Sequence, residues 1–196
     1  MQTNIILAGV GGQGILTIAA VIDIAVLQSG LTVRQAEVHG MSQRGGAVQS
    51  HLRISDREIY SDLIAEGTAN LILSVEPLEA LRYLPFLATD GKIVTSTESF
   101  INMENYPAME DILNELHRTN QPVLVNATEL ARQAGSPRTS NMVMLGAAAP
   151  YTGIAHEGLE SAISQLFRAK GEEIVTMNIR AFRTGKALFH HQAIVS

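Results

Sequence analysis

The 196-residue sequence contains no cysteine and no tryptophan. Without thiolates, this chain alone can hold no disulfide, no iron–sulfur cluster and no thiolate zinc site, and a cytoplasmic location is expected rather than a secreted one. If electrons move through such a system, another chain carries them. Positive charge is also scarce: 14 Lys and Arg stand against 19 Asp and Glu, for a formal charge of −5. Nothing therefore draws the chain as a whole to nucleic acid or to an anionic membrane, and any anion site must be local. The most apolar stretch, Ile15 to Leu27, is too short for a membrane span and carries Thr17 and Asp23. The opening Met-Gln-Thr-Asn has no basic residue before its apolar run, so no secretory signal is expected. Absent too are a Ser-His-Asp or Cys-His arrangement, paired catalytic carboxylates and a phosphate-loop lysine motif. No catalytic residue is assigned, and His190-His191, without a further ligand at a recognisable spacing, is assigned no metal.

What is present in abundance is glycine at one turn. Ile5 to Leu16 reads I-I-L-A-G-V-G-G-Q-G-I-L, an apolar strand running through Gly9, Gly11, Gly12, Gln13 and Gly14 into a long apolar helix. Glycines there permit backbone angles closed to other residues and let a ligand or a neighbouring element approach the main chain. The unpaired N–H groups of the first helical turn, with the helix dipole behind them, are receptive to phosphate or carboxylate. Gly9, Gly11 and Gly14 also fit the G-x-G-x-x-G dinucleotide fingerprint, although a tight βα turn with nothing bound has the same appearance.

A second glycine-flanked segment follows. Leu31 to His39 alternates as a strand, and Glu37 near its end is the only local candidate for a ribose-binding acid. Then comes His39-Gly40-Met41-Ser42-Gln43-Arg44-Gly45-Gly46, where one guanidinium could clamp phosphate or carboxylate and Ser42 and Gln43 supply neutral hydrogen bonds. The alternatives are a solvated loop arginine and a structural histidine. The two glycine segments are expected to lie side by side at the carboxyl end of the sheet and to bound one anionic site.

The rest of the chain alternates strands and helices. Ala47 to Ile54 reads as a strand, with a turn at Asp56-Arg57 and a short strand at Glu58 to Tyr60, an antiparallel pair that would make the sheet mixed. Strands follow at Leu71–Val75, Gly91–Thr95 and Pro122–Val125. A helix opens at Pro77, another carries Met109, Ile112, Leu113 and Leu116 on one stripe, and a short one opens at Asn126. The helix after Asn141 is apolar on every side, so it should be internal, and Pro150 should end or kink it. Arg138 and Asn141 stand at its entrance and could face the glycine turn, with Thr139 or Ser140 as the N-cap. Two amphipathic helices close the chain, marked by Leu159, Ala162, Ile163, Leu166 and Phe167, then by Ile174, Met177, Ala181 and Phe182. The expectation is a single domain over residues 1–196 of α/β class, three-layer α/β/α with a largely parallel, mixed sheet.

G-V-G-G-Q-G-I at Gly9 to Ile15, E-V-H-G-M-S-Q-R-G-G at Glu37 to Gly46 and N-M-V-M-L-G-A at Asn141 to Ala147 together resemble the gamma-type domain of 2-oxoacid:ferredoxin oxidoreductases. Length, order and spacing agree across essentially the whole chain. As a free chain it is most similar to the indolepyruvate branch, with the pyruvate and ketoisovalerate gamma subunits also similar. The resemblance implies a subunit of an enzyme that oxidatively decarboxylates an aryl 2-oxoacid to its coenzyme A thioester while reducing ferredoxin. It also implies thiamine diphosphate, Mg and Fe–S clusters on a larger partner chain, with coenzyme A as co-substrate and no cofactor held by this chain alone. On that footing Gly9, Gly11, Gly12, Gln13, Gly14, Ser42, Gln43, Arg44 and Gly45 would form the cofactor-binding turn. Two other functions fit parts of the pattern. One is an independent ATP- or NAD-binding enzyme, since G-x-G-G-x-G also resembles the ATP turn of ubiquitin-like activating enzymes; the other is a purely structural subunit.

Overall fold

The first strand, β1 (Gln2–Val10), is buried at every position after Gln2, as a near-continuous apolar run must be when both faces of a sheet are covered. The computed structural model describes residues 1–39, 45–101, 103–119 and 121–195, and of His39 and 190–195 the backbone only. After β1 come α1 (Ile15–Gln28), β2 (Thr32–His39), β3 (Ala47–Ser55), β4 (Ala69–Ser74) and α2 (Pro77–Arg82). The chain continues through β5 (Leu87–Ser96), α3 (Met109–His117), β6 (Val123–Val125), α4 (Ala127–Ala134), α5 (Ser140–Ala148), α6 (His156–Phe167) and α7 (Glu172–Val195).

The six strands lie in the order β2-β3-β1-β4-β5-β6. β1, β4, β5 and β6 are mutually parallel, whereas β3 runs antiparallel to both β1 and β2. The sheet is therefore mixed, as expected, but for a different reason. Residues 58–60 form no strand, because both hydrogen-bonding edges of β3 are already taken by β1 and β2. Ile59 is nonetheless buried between exposed Glu58 and Tyr60, which is the alternation that imitates a strand.

Alternation along β1 divides the core. Ile5 and Leu7 face α1, α5, α6 and α7, while Ile6 and Ala8 face the opposite side, with Ala80 of α2 and Ile112 and Leu116 of α3. This is the expected α/β/α sandwich, with an outer helical layer added on one side: α6 packs on α1, and α7 on α5 and α4. α5 is consequently covered on all sides, and Met142 through Ala148 are all buried. Its contact with α7 is close enough that a Cβ on Gly146 would lie 2.0 Å from the Phe182 carbonyl oxygen, and one on Gly185 1.9 Å from that of Val143. α5 ends at Ala148 and passes into one 3₁₀ turn, Ala149–Tyr151, around Pro150.

Candidate functional site

The glycine turn sits where β1 hands over to α1, at the carboxyl end of the parallel strands. Gly12 and Gly14 take φ of 101° and 80°, angles that side chains with a Cβ rarely adopt. Gly14 is the N-cap of α1, with no side-chain cap and no acidic residue in the first turn. The orphan N–H groups of that turn are thus left for water or a ligand. Gly9 answers a different need: a Cβ there would lie 2.4 Å from Val75 Cγ2 and 2.7 Å from Ile15 Cδ1.

Gln13 braces the turn from inside. Its Oε1 accepts from the Val10 N–H at 2.8 Å, and its Nε2 donates to the Val75 carbonyl at 3.5 Å. The side chain therefore ties the end of β1 to the end of β4 across the point where the sheet's connections diverge, the crevice in which open α/β sheets usually take ligands.

The second glycine segment does lie against the first. The Gly11 N–H donates to the Gly46 carbonyl at 2.9 Å, and Val10 pairs with Ala47 in the β1–β3 ladder. Gly45 has φ 78°. Ser42, Gln43 and Arg44 lie outside the described residues, as does the side chain of His39. Glu37 is not placed for a ribose. In a dinucleotide site the acidic strand adjoins β1, but here β3 stands between, so β2 lies two strand spacings away, roughly 10 Å. Glu37 instead neighbours Asp23 of α1, whose carboxyl is pushed up to about 6, first by burial and then by the Glu37 charge.

Two clefts flank the turn. The larger, about 620 Å³, lies between the N-termini of α1 and α5 and is lined by Gly12, Gln13, Gly14, Arg138, Asn141 and Lys170, among others. Among the described residues, two cations and no carboxylate face it. Asn141 joins its walls by donating to the Gly14 carbonyl at 3.3 Å. Thr139 occupies the N-cap position of α5 but makes no capping hydrogen bond; its hydroxyl donates to the Ser136 carbonyl at 2.8 Å instead. Lys170, its Nζ 5.4 Å from the Phe167 ring centroid, was not legible as a site residue, since nothing in its local sequence ties it to a turn more than 150 positions earlier.

The smaller cleft, about 290 Å³, opens over the ends of β4 and β5 and is lined by Gln13, Ser96, Glu98, Phe100, Thr128 and Ser140, among others. The Glu98 carboxylate accepts from the Thr128 N–H at 2.8 Å. Beside it, Glu76 is 1% exposed and caps α2 by accepting from the Glu79 N–H at 2.9 Å. It also accepts from the Phe100 N–H at 3.3 Å and from the Tyr106 hydroxyl. Burial, then the bond to Glu76, raises the pKa of that hydroxyl.

The residues do not suit every group that the sequence resemblance implies. The chain has no cysteine, and no trio of His, Asp or Glu among the described residues is grouped to hold a metal. An Fe–S cluster therefore finds no thiolate ligands in this chain. The larger cleft does suit a phosphate-bearing ligand, because it offers two cations and the unpaired N–H groups of a helix start. No helix among the described residues is long and apolar enough to cross a membrane.

Comparison with known proteins agrees with this architecture. Residues 4–188 match the family described as pyruvate ferredoxin/flavodoxin oxidoreductase. The chain is similar to the indolepyruvate oxidoreductase subunit IorB of Archaeoglobus fulgidus, at 38% identity covering 99% of this chain and 96% of that one. Among solved structures it resembles the gamma subunit of a keto/oxoacid ferredoxin oxidoreductase from Geobacter sulfurreducens, with a TM-score of 0.68 and 24% identity over 93% of this chain and 95% of that one. It also resembles a 2-oxoglutarate:ferredoxin oxidoreductase from Magnetococcus marinus, solved with 2-oxoglutarate, coenzyme A and succinyl-CoA bound, with a TM-score of 0.74 and 23% identity. There the alignment covers 95% of this chain but only 31% of the other, so the same fold occurs as one part of a longer polypeptide.

Proposed function

We propose, from the fact that this chain belongs to the pyruvate ferredoxin/flavodoxin oxidoreductase family, that it is the small subunit of an indolepyruvate-type 2-oxoacid:ferredoxin oxidoreductase and helps to hold coenzyme A. Its relatives named as IorB support the indolepyruvate type. In that reaction an aryl 2-oxoacid loses carbon dioxide, its electrons pass to ferredoxin, and the acyl group ends on the sulfur of coenzyme A. Thiamine diphosphate, Mg and the Fe–S clusters are assigned to a larger partner subunit in the same cytoplasmic complex, a division that the lack of any cysteine here supports for the Fe–S clusters.

One observation carries the assignment of coenzyme A. The cleft between α1 and α5 combines an uncapped helix start at Gly14 with Arg138 and Lys170, and no carboxylate among the described residues faces it. Coenzyme A presents a diphosphate and a 3′-phosphate, whose charge such a cleft compensates. Gly11, Gly12 and Gly14 let the backbone approach a phosphate, while Gln13 fixes the turn and lines the cleft. Arg44, with Ser42, Gln43 and Gly45, is assigned to the same anion from the sequence.

Charge-assisted contacts to phosphate contribute about 1.5–3 kcal/mol each. In the assembled enzyme, Arg138→Ala and Lys170→Ala should each raise the KM for coenzyme A roughly tenfold or more and leave the KM for the 2-oxoacid unchanged. Unchanged KM values with weakened subunit association would instead assign this face a structural role.

A further inference from the structure

The loop that joins β5 to α3 carries features the coenzyme A assignment does not use. Phe100 is 41%, Ile101 72% and Met103 42% exposed, three large apolar side chains within four positions of the sequence. An isolated exposed apolar residue needs no explanation, but a contiguous group on a fixed loop marks a contact surface.

This loop is fixed. The buried Glu76 carboxylate accepts from the Phe100 N–H on one side of Ile101 and Met103, and from the Tyr106 hydroxyl on the other. The buried end of that anchor is itself the N-cap of α2. Holding the apolar residues out in one geometry before contact lowers the ordering cost of binding.

The segment that carries them is acidic, and Arg82 of the neighbouring α2 is paired with Glu79. From Ile93 to His117 the chain carries Glu98, Glu104, Glu110, Asp111 and Glu115 and no Lys or Arg. A second copy docked through the same patch would set these acidic borders against each other, since a two-fold contact pairs a surface with itself. Like charges facing across an interface cost several kcal/mol. The fitting occupant is a different chain that presents an apolar pocket bordered by Lys and Arg. The family assignment gives this subunit partner chains, and in the Magnetococcus marinus enzyme the same fold is embedded in a longer polypeptide.

We infer that Phe100, Ile101 and Met103, anchored through Glu76 and carried on an acidic segment, form the surface on which the larger partner subunit docks through an apolar patch rimmed with basic residues. This inference needs only the family assignment and stands apart from the coenzyme A cleft.

The test uses the complex produced with both chains present. Ile101→Asp and Met103→Asp should each weaken association with the partner subunit at least tenfold, by titration or by loss of co-purification, while circular dichroism and Tm of the chain itself stay as in wild type. Tyr60→Asp, an exposed residue on the β3–β4 connection at the opposite end of the sheet, should leave association unchanged. Raising the salt from 0.05 to about 0.5 M should weaken wild-type association further, because the acidic border is solvent-facing. Wild-type association of Ile101→Asp and Met103→Asp would overturn the inference. So would a wild-type chain that forms a dimer by itself and becomes monomeric on Ile101→Asp, since the occupant would then be a second copy.

Discussion

At the scale of single residues, the side chains that matter most here are ones bonded to backbone. Glu76 accepts three hydrogen bonds in a site that excludes water, so its removal leaves the Phe100 N–H and the Tyr106 hydroxyl without their acceptor and α2 without its cap. A lost cap costs about 1 kcal/mol and a lost bond to a charged group about 1.5–3 kcal/mol, offset in part because a buried carboxylate is itself costly. Glu76→Ala should therefore destabilise the chain by roughly 2 kcal/mol, or a Tm loss of about 4–8 °C, and amide exchange should accelerate around Phe100. Glu76→Gln, which keeps an acceptor oxygen, should lose about half as much. A Glu76→Ala chain melting with wild type would show that the anchor contributes nothing. None of this was legible in the sequence, where Glu76-Pro77 signals only a helix start. Gln13 is the converse case: its place within a glycine fingerprint marks it as a ligand contact, and its amide, while lining both clefts, also spans Val10 and Val75. Sequence pattern located the turn correctly, but which way a side chain points depends on a strand 62 positions away.

At the scale of elements, periodicity identified the helices and most strands, and the all-round apolarity of α5 correctly placed it inside. What it could not convey was order. β3 enters between β2 and β1, and that insertion is why Glu37 misses the place a ribose acid occupies and why residues 58–60 find no strand to pair with. Nor did the pattern reveal that α5 and α7 cross in near backbone contact. Gly146 and Gly185 each look like weak helix positions, yet each faces the other helix's carbonyl oxygen at a distance no Cβ could occupy. Gly→Ala within a helix ordinarily gains up to about 1 kcal/mol. Here the added methyl meets backbone that cannot turn aside, and overpacking costs about 1–3 kcal/mol or more. Gly146→Ala and Gly185→Ala should each lose stability by about 2 kcal/mol in urea denaturation. Gly158→Ala on α6, where the nearest atom is 3.8 Å away, should be neutral or gain. If all three variants gained alike, the close crossing would not be a feature of the folded chain.

At the scale of the whole molecule, the two faces of the sheet respond to pH with opposite sign. On the α1 side, Asp23 has an Oδ1 with no hydrogen-bond partner and a pKa raised to about 6, by burial first and the Glu37 charge second. The folded state thus holds this proton more tightly than the unfolded state does. Its contribution is most favourable below the unfolded value of about 3.9 and is lost as pH rises through 6. On the opposite side, His51 is 4% exposed, accepts from the Ile64 N–H at 3.0 Å through Nδ1, and has its pKa lowered by burial. Its contribution is present above about 6.5 and is lost as pH falls from there through the lowered folded value. Where the two titration ranges overlap the slopes oppose, so there the wild-type stability curve should be flatter than either group alone would make it. Asp23→Asn removes one slope by fixing the neutral form. At pH 8 it should stabilise the chain by about 1–2 kcal/mol, after discounting for partial solvation of the carboxylate, and at pH 4 it should differ little from wild type. Denaturant midpoints for both chains at pH 4, 6 and 8 decide the matter. A gain at pH 8 that vanishes at pH 4 identifies Asp23 as the group whose ionisation strains the α1 face, whereas an equal gain at every pH would trace the effect to helix propensity or packing instead.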